Sequence, residues 1–390
     1  MTTSAVPQAS PPAPIPALTL PRTLYAAGAV RALPAELDVL GVRRPLVVTD
    51  KGLVAAGVSG KVVAACGDAV TAMLFEGVTE NPLFSDVDAG VASYAAHRCD
   101  GVIAVGGGSV IDTAKMIALL ATNPGSVADY AGVPNVRHGA AAPLVVIPTT
   151  AGTGSEASPS AGIHPDAVTA SVGMNSRHLV PKLAMLDPEL TVSLPRRLTA
   201  ATGIDALSHC IEGYLSNRDQ PLGKSIALDG IRRIVRYLPR AVADGTDMEA
   251  RGEMMLAAFA GGISIGMGLG PAHAIAITCS DQGFHHGVLS GIGLVATLDA
   301  TAGHMTARVA AVSEAFGLPP STSLAQGVAA LMRELSLPAT LAELGYAAKD
   351  LPAMAAAAER SHFNLSAPFR PNASHYAKFM SQSLRLEASK

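Results

Sequence analysis

Asp205 and His209 stand four residues apart in Gly203–Ile204–Asp205–Ala206–Leu207–Ser208–His209, and two more histidines, His273 and His286, follow later in the chain. If residues 203–216 form a helix, a carboxylate oxygen and an imidazole nitrogen share one face and could grip one cation. His273 and His286 could supply the other half of a site, because a divalent first-row metal accepts imidazole and carboxylate donors with a position left open for substrate. Taken alone, such a pair reads as a surface helix pair. Its setting argues otherwise: Ala200–Ala201–Thr202–Gly203 precede it and Cys210, Ile211 and Leu215 follow. A charged aspartate in apolar company needs a partner.

A second chemistry lies upstream. The apolar run Gly101–Val105 leads directly into Gly106–Gly107–Gly108–Ser109, after which Val110, Ile111, Ala114, Met116, Ile117 and Leu120 recur at helical spacing. Strand, glycine turn and helix in this order make an anion cradle: small residues let the backbone approach, and a helix start offers free N–H groups. A pyrophosphate is the natural guest, although the turn is neither GxGxxG nor a Walker loop. The apolar run Pro143–Ile147 delivers a hydroxyl-rich loop, Pro148–Glu156, whose Thr149, Thr150 and Thr153 are placed for nucleotide contacts if the run is a strand of an open α/β sheet.

The surrounding pattern predicts the elements that hold these residues. From 21 to 184, short β-type runs alternate with Ala-rich helical stretches, the signature of a parallel sheet covered on both faces. Strands are expected at 45–50, ending in Asp50, then at 73–75, 101–105 and 143–147; helices are expected at 51–67 and 85–98. Residues 161–187 read as the remaining strands of the same sheet, 183–186 being the last. Beyond Pro195 the β-branched runs fade, and helices are expected at 199–216, 222–242, 248–266, 286–302, 305–316, 322–335, 348–358 and 373–387. The organisation is therefore a tail at 1–20, an α/β nucleotide-binding domain at 21–195 and an all-helical domain at 196–390, with the chemistry in the cleft between the last two.

Composition bounds the rest. The 390 residues are 49% hydrophobic and 15% charged, with a net charge of −3. No basic field is present to hold nucleic acid or an anionic membrane, so neither is expected as a partner. Cys66, Cys99, Cys210 and Cys279 are scattered without CxxC pairing, which fits a reducing cytoplasm rather than a disulfide framework. The first 20 residues, with Pro7, Pro11, Pro12, Pro14 and Pro16, read as a disordered tail and not a signal peptide. A soluble protein is expected, because Gly, Pro or charge interrupts every long apolar run.

Together, Gly106–Lys115, Pro148–Glu156, Leu186–Thr191 and Gly203–His209 resemble, in order and spacing, the iron-containing (group III) alcohol dehydrogenases. The resemblance implies a dehydroquinate-synthase-like fold, an α/β N-terminal domain plus an all-α C-terminal domain, and usually a homodimer. It implies Asp205, His209, His273 and His286 as ligands of Fe2+, a donor set that suits Zn2+ as well. It further implies that Gly106, Gly107, Gly108 and Ser109 hold the pyrophosphate of NAD(H), with Asp112, Thr149, Thr150 and Thr153 in the cofactor site. Asp50 matches the acid that meets the adenosine ribose; a carboxylate there favours NAD(H) over NADP(H).

The chain departs from the family in places. The usual second histidine of His-x-x-x-His is Ile277, and Ser290 stands where asparagine is frequent. His286 is chosen as ligand because it directly precedes Gly287, which leaves its neighbour His285 as a catalytic candidate for handling protons. Asn-Pro-Arg near the C-terminus is replaced by Phe369–Asn372. The expected reaction is hydride transfer between NAD(H) and a small primary alcohol or aldehyde. Alternatives are an aldehyde or ketone bearing an acid group, met by Arg177, Lys182 or Arg370, a non-redox lyase on the same fold, and a scaffold that has lost activity.

Overall fold

In the computed structural model, which describes residues 17–131 and 139–385, strand alternation builds two cores at once. The strands are β1 (Arg22–Tyr25), β2 (Pro45–Val48), β3 (Met73–Phe75), β4 (Gly101–Gly106), β5 (Leu144–Pro148), β6 (Ser160–Ile163), β7 (Val172–Asn175) and β8 (Leu183–Leu186). Six of them form a parallel sheet in the order β1-β8-β5-β4-β2-β3. Successive side chains point to opposite faces. Hence Leu46, Val48, Val102, Ala104, Leu144 and Val146 pack with helices Phe84–Ala96 and Gly108–Leu120. Val47, Ile103, Val105, Val145 and Ile147 pack instead with helices Leu33–Leu40 and Val58–Ala65.

β8 joins this sheet to the helical half. Its Leu183 and Met185 belong to the second core, while Ala184 and Leu186 enter the core of the helices. That half is built on helix Arg196–Leu215, buried along almost its whole length and flanked by Pro221–Ala243, Met248–Ile265 and His286–Ala302. A central helix buried on all sides must find partners within the core for its polar side chains, here Asp205, His209 and Glu212 among them.

The sheet order reverses between β2 and β4: β2 leads outward to β3, whereas β4 leads the other way to β5. The carboxyl ends of β2, β4 and β5 thus open one crevice, and from them emerge Asp50, Gly106–Ser109 and Thr149–Thr153.

The structure corrects three expectations. β6 and β7 are not part of the main sheet; they pair with each other, antiparallel. Their burial alternates, and a strand with one wet face suits a two-stranded ribbon better than a sheet covered on both sides. β1 was not anticipated, because an exposed edge strand needs no apolar run. The single helix expected at 51–67 is two, Lys51–Ala55 and Val58–Ala65, broken at Gly57 with φ of +72°. The expected tail lies outside the described residues up to residue 16, as does the end of the last expected helix, observed as Ala373–Ser383. Among the described residues, no helix is long and apolar enough to cross a membrane.

The two halves meet backbone to backbone where Gly154, at φ +64°, crosses Gly262 of helix Met248–Ile265. A Cβ on residue 262 would overlap the Gly154 carbonyl. Gly262→Ala should therefore lower stability by about 3 kcal/mol and displace the threonine loop. A reduced Tm together with weaker NADH binding would report this, and Gly60→Ala, at an open helical position, should do neither.

Candidate active site

Asp205 and His209 occupy the buried face of helix Arg196–Leu215, as the spacing implied; His209 Nε2 lies 3.8 Å from Asp205 Oδ1. His273 comes from helix Pro271–Thr278, which sequence reading did not foresee. His286 opens helix His286–Ala302, its Nε2 also 3.8 Å from Asp205 Oδ1. Donor atoms of Asp205, His273 and His286 lie within 4.8 Å of one another. His209 flanks this triangle, its ring stacked on His273 with centroids 4.9 Å apart.

Three atoms at this point, Asp205 Oδ1, His209 Nδ1 and His273 Nε2, are buried without a hydrogen-bond partner in the protein. Buried polar atoms left bare are costly, and the two that belong to the triangle, Asp205 Oδ1 and His273 Nε2, fit a cation that the donors share. Electrostatics agree. Burial pushes the Asp205 carboxyl up, but His209, His286 and His273 outweigh it and hold the group below its ordinary value. Burial pushes the His209 imidazole down to about 4, so its lone pair is free at neutral pH.

Glu212 was missed by sequence reading. It sits three residues beyond His209 on the same helix and is 6% exposed. Its carboxylate accepts the His273 Nδ1 proton at 2.6 Å and caps the Ala272 and His273 N–H groups at 2.8 and 3.3 Å. One side chain thereby starts the short helix and aims His273 Nε2 at the cluster. The signal was present: an acid at i+7 from Asp205 in an otherwise apolar helix.

His285 is half-buried beside the cluster, and its Nδ1 accepts the Gly287 N–H at 3.1 Å, which places the ring's proton on Nε2 when neutral. Ser290 touches His286, its hydroxyl 3.3 Å from Nε2. Ile277 lies partly exposed at the end of the short helix.

The other predicted residues gather at the crevice. Helix Gly108–Leu120 starts from Gly107, and a Cβ on Gly107 or Gly108 would crowd the Thr150 and Thr153 side chains, the latter at 2.6 Å. The missing side chains let the threonine loop pack directly against the start of this helix. The Ser109 hydroxyl donates to the Glu80 carbonyl. Buried Thr149 is anchored through its N–H to the Gly106 carbonyl at 3.0 Å. Asp50 caps the following helix through Leu53 N–H at 2.9 Å.

Asp112 faces inward: it accepts from the Ser155 hydroxyl and, at 2.8 Å, from Gly162 N–H. Beside it Lys115, fully buried, donates to the Ser158 and Ser160 carbonyls at 2.9 and 2.7 Å. Both residues tie the cradle helix to the loop that carries Thr153. Lys115 is a second residue without a foreseen role, detectable only as a cation inside an apolar helix.

The arrangement defines a metal- and dinucleotide-dependent oxidoreductase. The family model "Iron-containing alcohol dehydrogenase" matches residues 21–188, and "Fe-containing alcohol dehydrogenase family, C-terminal" matches 199–384. The 4-hydroxybutyrate dehydrogenase of Cupriavidus necator is 38% identical, over 92% of this chain and 96% of that protein. The NAD-dependent methanol dehydrogenase of Bacillus methanolicus is 33% identical, over 86% and 91%. Among solved structures, a 1,3-propanediol oxidoreductase superposes with a TM-score of 0.89 at 29% identity, covering 94% of this chain and 99% of the other. Sulfoacetaldehyde reductase from Bifidobacterium kashiwanohense, in complex with NAD+, gives 0.88 at 25% identity, covering 95% and 99%. The chain belongs to the iron-containing alcohol dehydrogenase family, whose members use NAD(H) and iron.

Glu212→Ala should weaken metal affinity about 10–100-fold in chelator competition, with NADH affinity retained and partial recovery in Glu212→Gln. A second expectation concerns Glu156, which is 2% exposed. Burial, against its own N–H and Lys115, pushes its carboxyl from 4.5 up to about 7. The folded state thus holds a proton that the unfolded state has lost, so this contribution to stability is complete below about 4.5 and disappears as pH rises through about 7. Urea titrations across that range should show the decline in the wild type and a flatter profile in Glu156→Gln.

Proposed function

We propose that Asp205, His209, His273 and His286 form the metal centre of an enzyme that interconverts a small primary alcohol and its aldehyde. The approach of donor atoms of Asp205, His273 and His286 to within 4.8 Å of one another, with Asp205 Oδ1 and His273 Nε2 bare and His209 stacked beside them, is the observation that carries this assignment. These residues would hold iron, which would supply Lewis acidity toward a substrate oxygen, beside a nicotinamide cofactor that would supply the hydride chemistry.

The chain's own residues have distinct tasks. Glu212 fixes the His273 tautomer and so aims its Nε2 at the cluster. The backbone around Gly107 and Gly108 receives the pyrophosphate, while Thr149, Thr150 and Thr153 fix the loop beside it. Asp50, with one oxygen committed to its helix cap, offers the other to a ribose hydroxyl. His285, protonated on Nε2 when neutral, is the proposed proton handler.

A division into a nucleotide domain at 21–195 and a metal domain at 196–390 follows from the same assignment. The proposed setting is a homodimer, carried over from the family, in the cytoplasm, which the four buried free thiols support.

Asp205→Ala or His273→Ala should abolish metal binding and turnover while NADH affinity stays within a few-fold, measured by metal analysis and NADH titration. Equal loss of NADH binding in a folded variant would sink this division of labour. Light scattering tests the dimer.

A further inference from the structure

The His273 ring has a third ring beside it. His209 stacks on it and His286 tilts against it, and the Phe363 ring, carried by the short turn His362–Leu365, lies 5.5 Å away, centroid to centroid, tilted by 59°. Ile277 stands four residues beyond His273 on helix Pro271–Thr278, so the two side chains share one helix face, one turn apart. An aromatic ring and a branched aliphatic chain therefore flank a member of the donor triangle.

Neither side chain is spent on the core. Among the described residues of the helical half, Phe259, Phe284, Phe316, Phe369 and Phe379 belong to the hydrophobic core or pack against it, whereas Phe363 and Ile277 do neither and are half-buried. Apolar surface left partly wet beside a metal site gains from being covered, and the carbon chain of a ligand can cover it.

The aromatic side of this wall is tied down. Ser366 donates its hydroxyl to the Leu269 carbonyl at 2.8 Å, just ahead of the helix that bears His273, and a Cβ on Gly268 would strike that hydroxyl. Asn217, just past the helix that bears Asp205 and His209, holds the same segment by its N–H on the Ser366 carbonyl at 3.0 Å and its amide on the Leu365 and Ala367 carbonyls at 3.2 and 3.3 Å. Asn364 donates to the Ala358 and Glu359 carbonyls at 2.8 and 3.0 Å and accepts from the Tyr376 hydroxyl at 2.6 Å. The backbone of Phe363 is thus anchored to both helices that supply Asp205, His209 and His273.

We propose that Phe363 and Ile277 form the wall against which the substrate's carbon chain lies, and that they select an unbranched, apolar carbon next to the reacting one over a branched or hydroxylated carbon at that place. The proposal rests on the oxidoreductase reading above, whose metal centre would hold the substrate oxygen. Phe363 limits width: a methyl branch must displace a ring whose backbone is anchored, and one methylene more or less in an apolar pocket changes discrimination about 10–200-fold. Ile277 offers no hydrogen bond, so a hydroxyl set against it gives up water without compensation.

The test loads the wild type, Phe363→Ala, Phe363→Leu and Ile277→Asn with Fe2+ and NADH and compares reduction of butanal, 2-methylpropanal and 2-hydroxypropanal. The wild type should favour butanal over either competitor by about 10-fold in kcat/KM. Phe363→Ala, and to a lesser degree Phe363→Leu, should raise kcat/KM for 2-methylpropanal relative to butanal by about 10-fold, and Ile277→Asn should do the same for 2-hydroxypropanal. Saturation-transfer NMR of the three corresponding alcohols on the NADH complex, where both partners are already reduced and no hydride moves, should follow the same order, so the wall is judged even without turnover. Alcohol binding that changes with these variants, without turnover of any aldehyde by the wild type, would overturn the dehydrogenase reading and keep the wall. Ratios that no variant changes, in kinetics and in NMR alike, or a wild type that prefers either competitor to butanal, would overturn the proposal.

Discussion

Helices Arg196–Leu215 and His286–Ala302 touch with no side chain between them, and the metal cluster depends on that contact. A Cβ on Gly287 would overlap the Ala201 carbonyl and stand 2.9 Å from the Cβ of Asp205. Only a glycine after His286 lets the imidazole reach 3.8 Å from the Asp205 carboxylate. The His-Gly pair is therefore a packing rule as much as a motif: the glycine brings the helices together, and the histidine uses the proximity.

Closeness of this kind concentrates polar groups that would be intolerable alone. An aspartate, two buried histidines and a glutamate occupy the interior of a helical core lined by Ile204, Leu207, Ile211 and Ile275. Glu212 and His273 answer one another, and a cation shared by the candidate ligands would answer the rest, since leaving one buried charge without a partner costs several kcal/mol. Glu212 is the connecting piece: the same carboxylate that caps the His273 helix also sets that histidine's proton. Fold and chemistry share one side chain there, so damage to either shows in both.

The crevice follows a different economy. Gly107 and Gly108 let the threonine loop pack closely on the helix start, and buried polar ties a short way behind hold that packing, Asp112 to Ser155 and Gly162, and Lys115 to Ser158 and Ser160. The loop bearing Thr153 is clamped between these ties and the Gly154–Gly262 crossing. The threonine loop and the helical half thus meet through direct backbone contact at Gly154 and Gly262.

The sequence by itself determined what local spacing encodes. Buried strands such as 101–106 and 183–186 announce themselves by continuous apolar residues, the helix holding Asp205 and His209 by its period, and the cradle by glycines between strand and helix. The pairing of Asp205 with His209 and the glycine turn were named from the same local patterns, whereas His273 and His286 were assigned as ligands through the family resemblance. Tertiary structure decided what depends on distant neighbours. β1 is a strand because β8 offers it an edge, and β6 and β7 pair with each other because one face of each stays wet. The helix at Pro271–Thr278 exists because Glu212, 60 residues away in sequence, caps it.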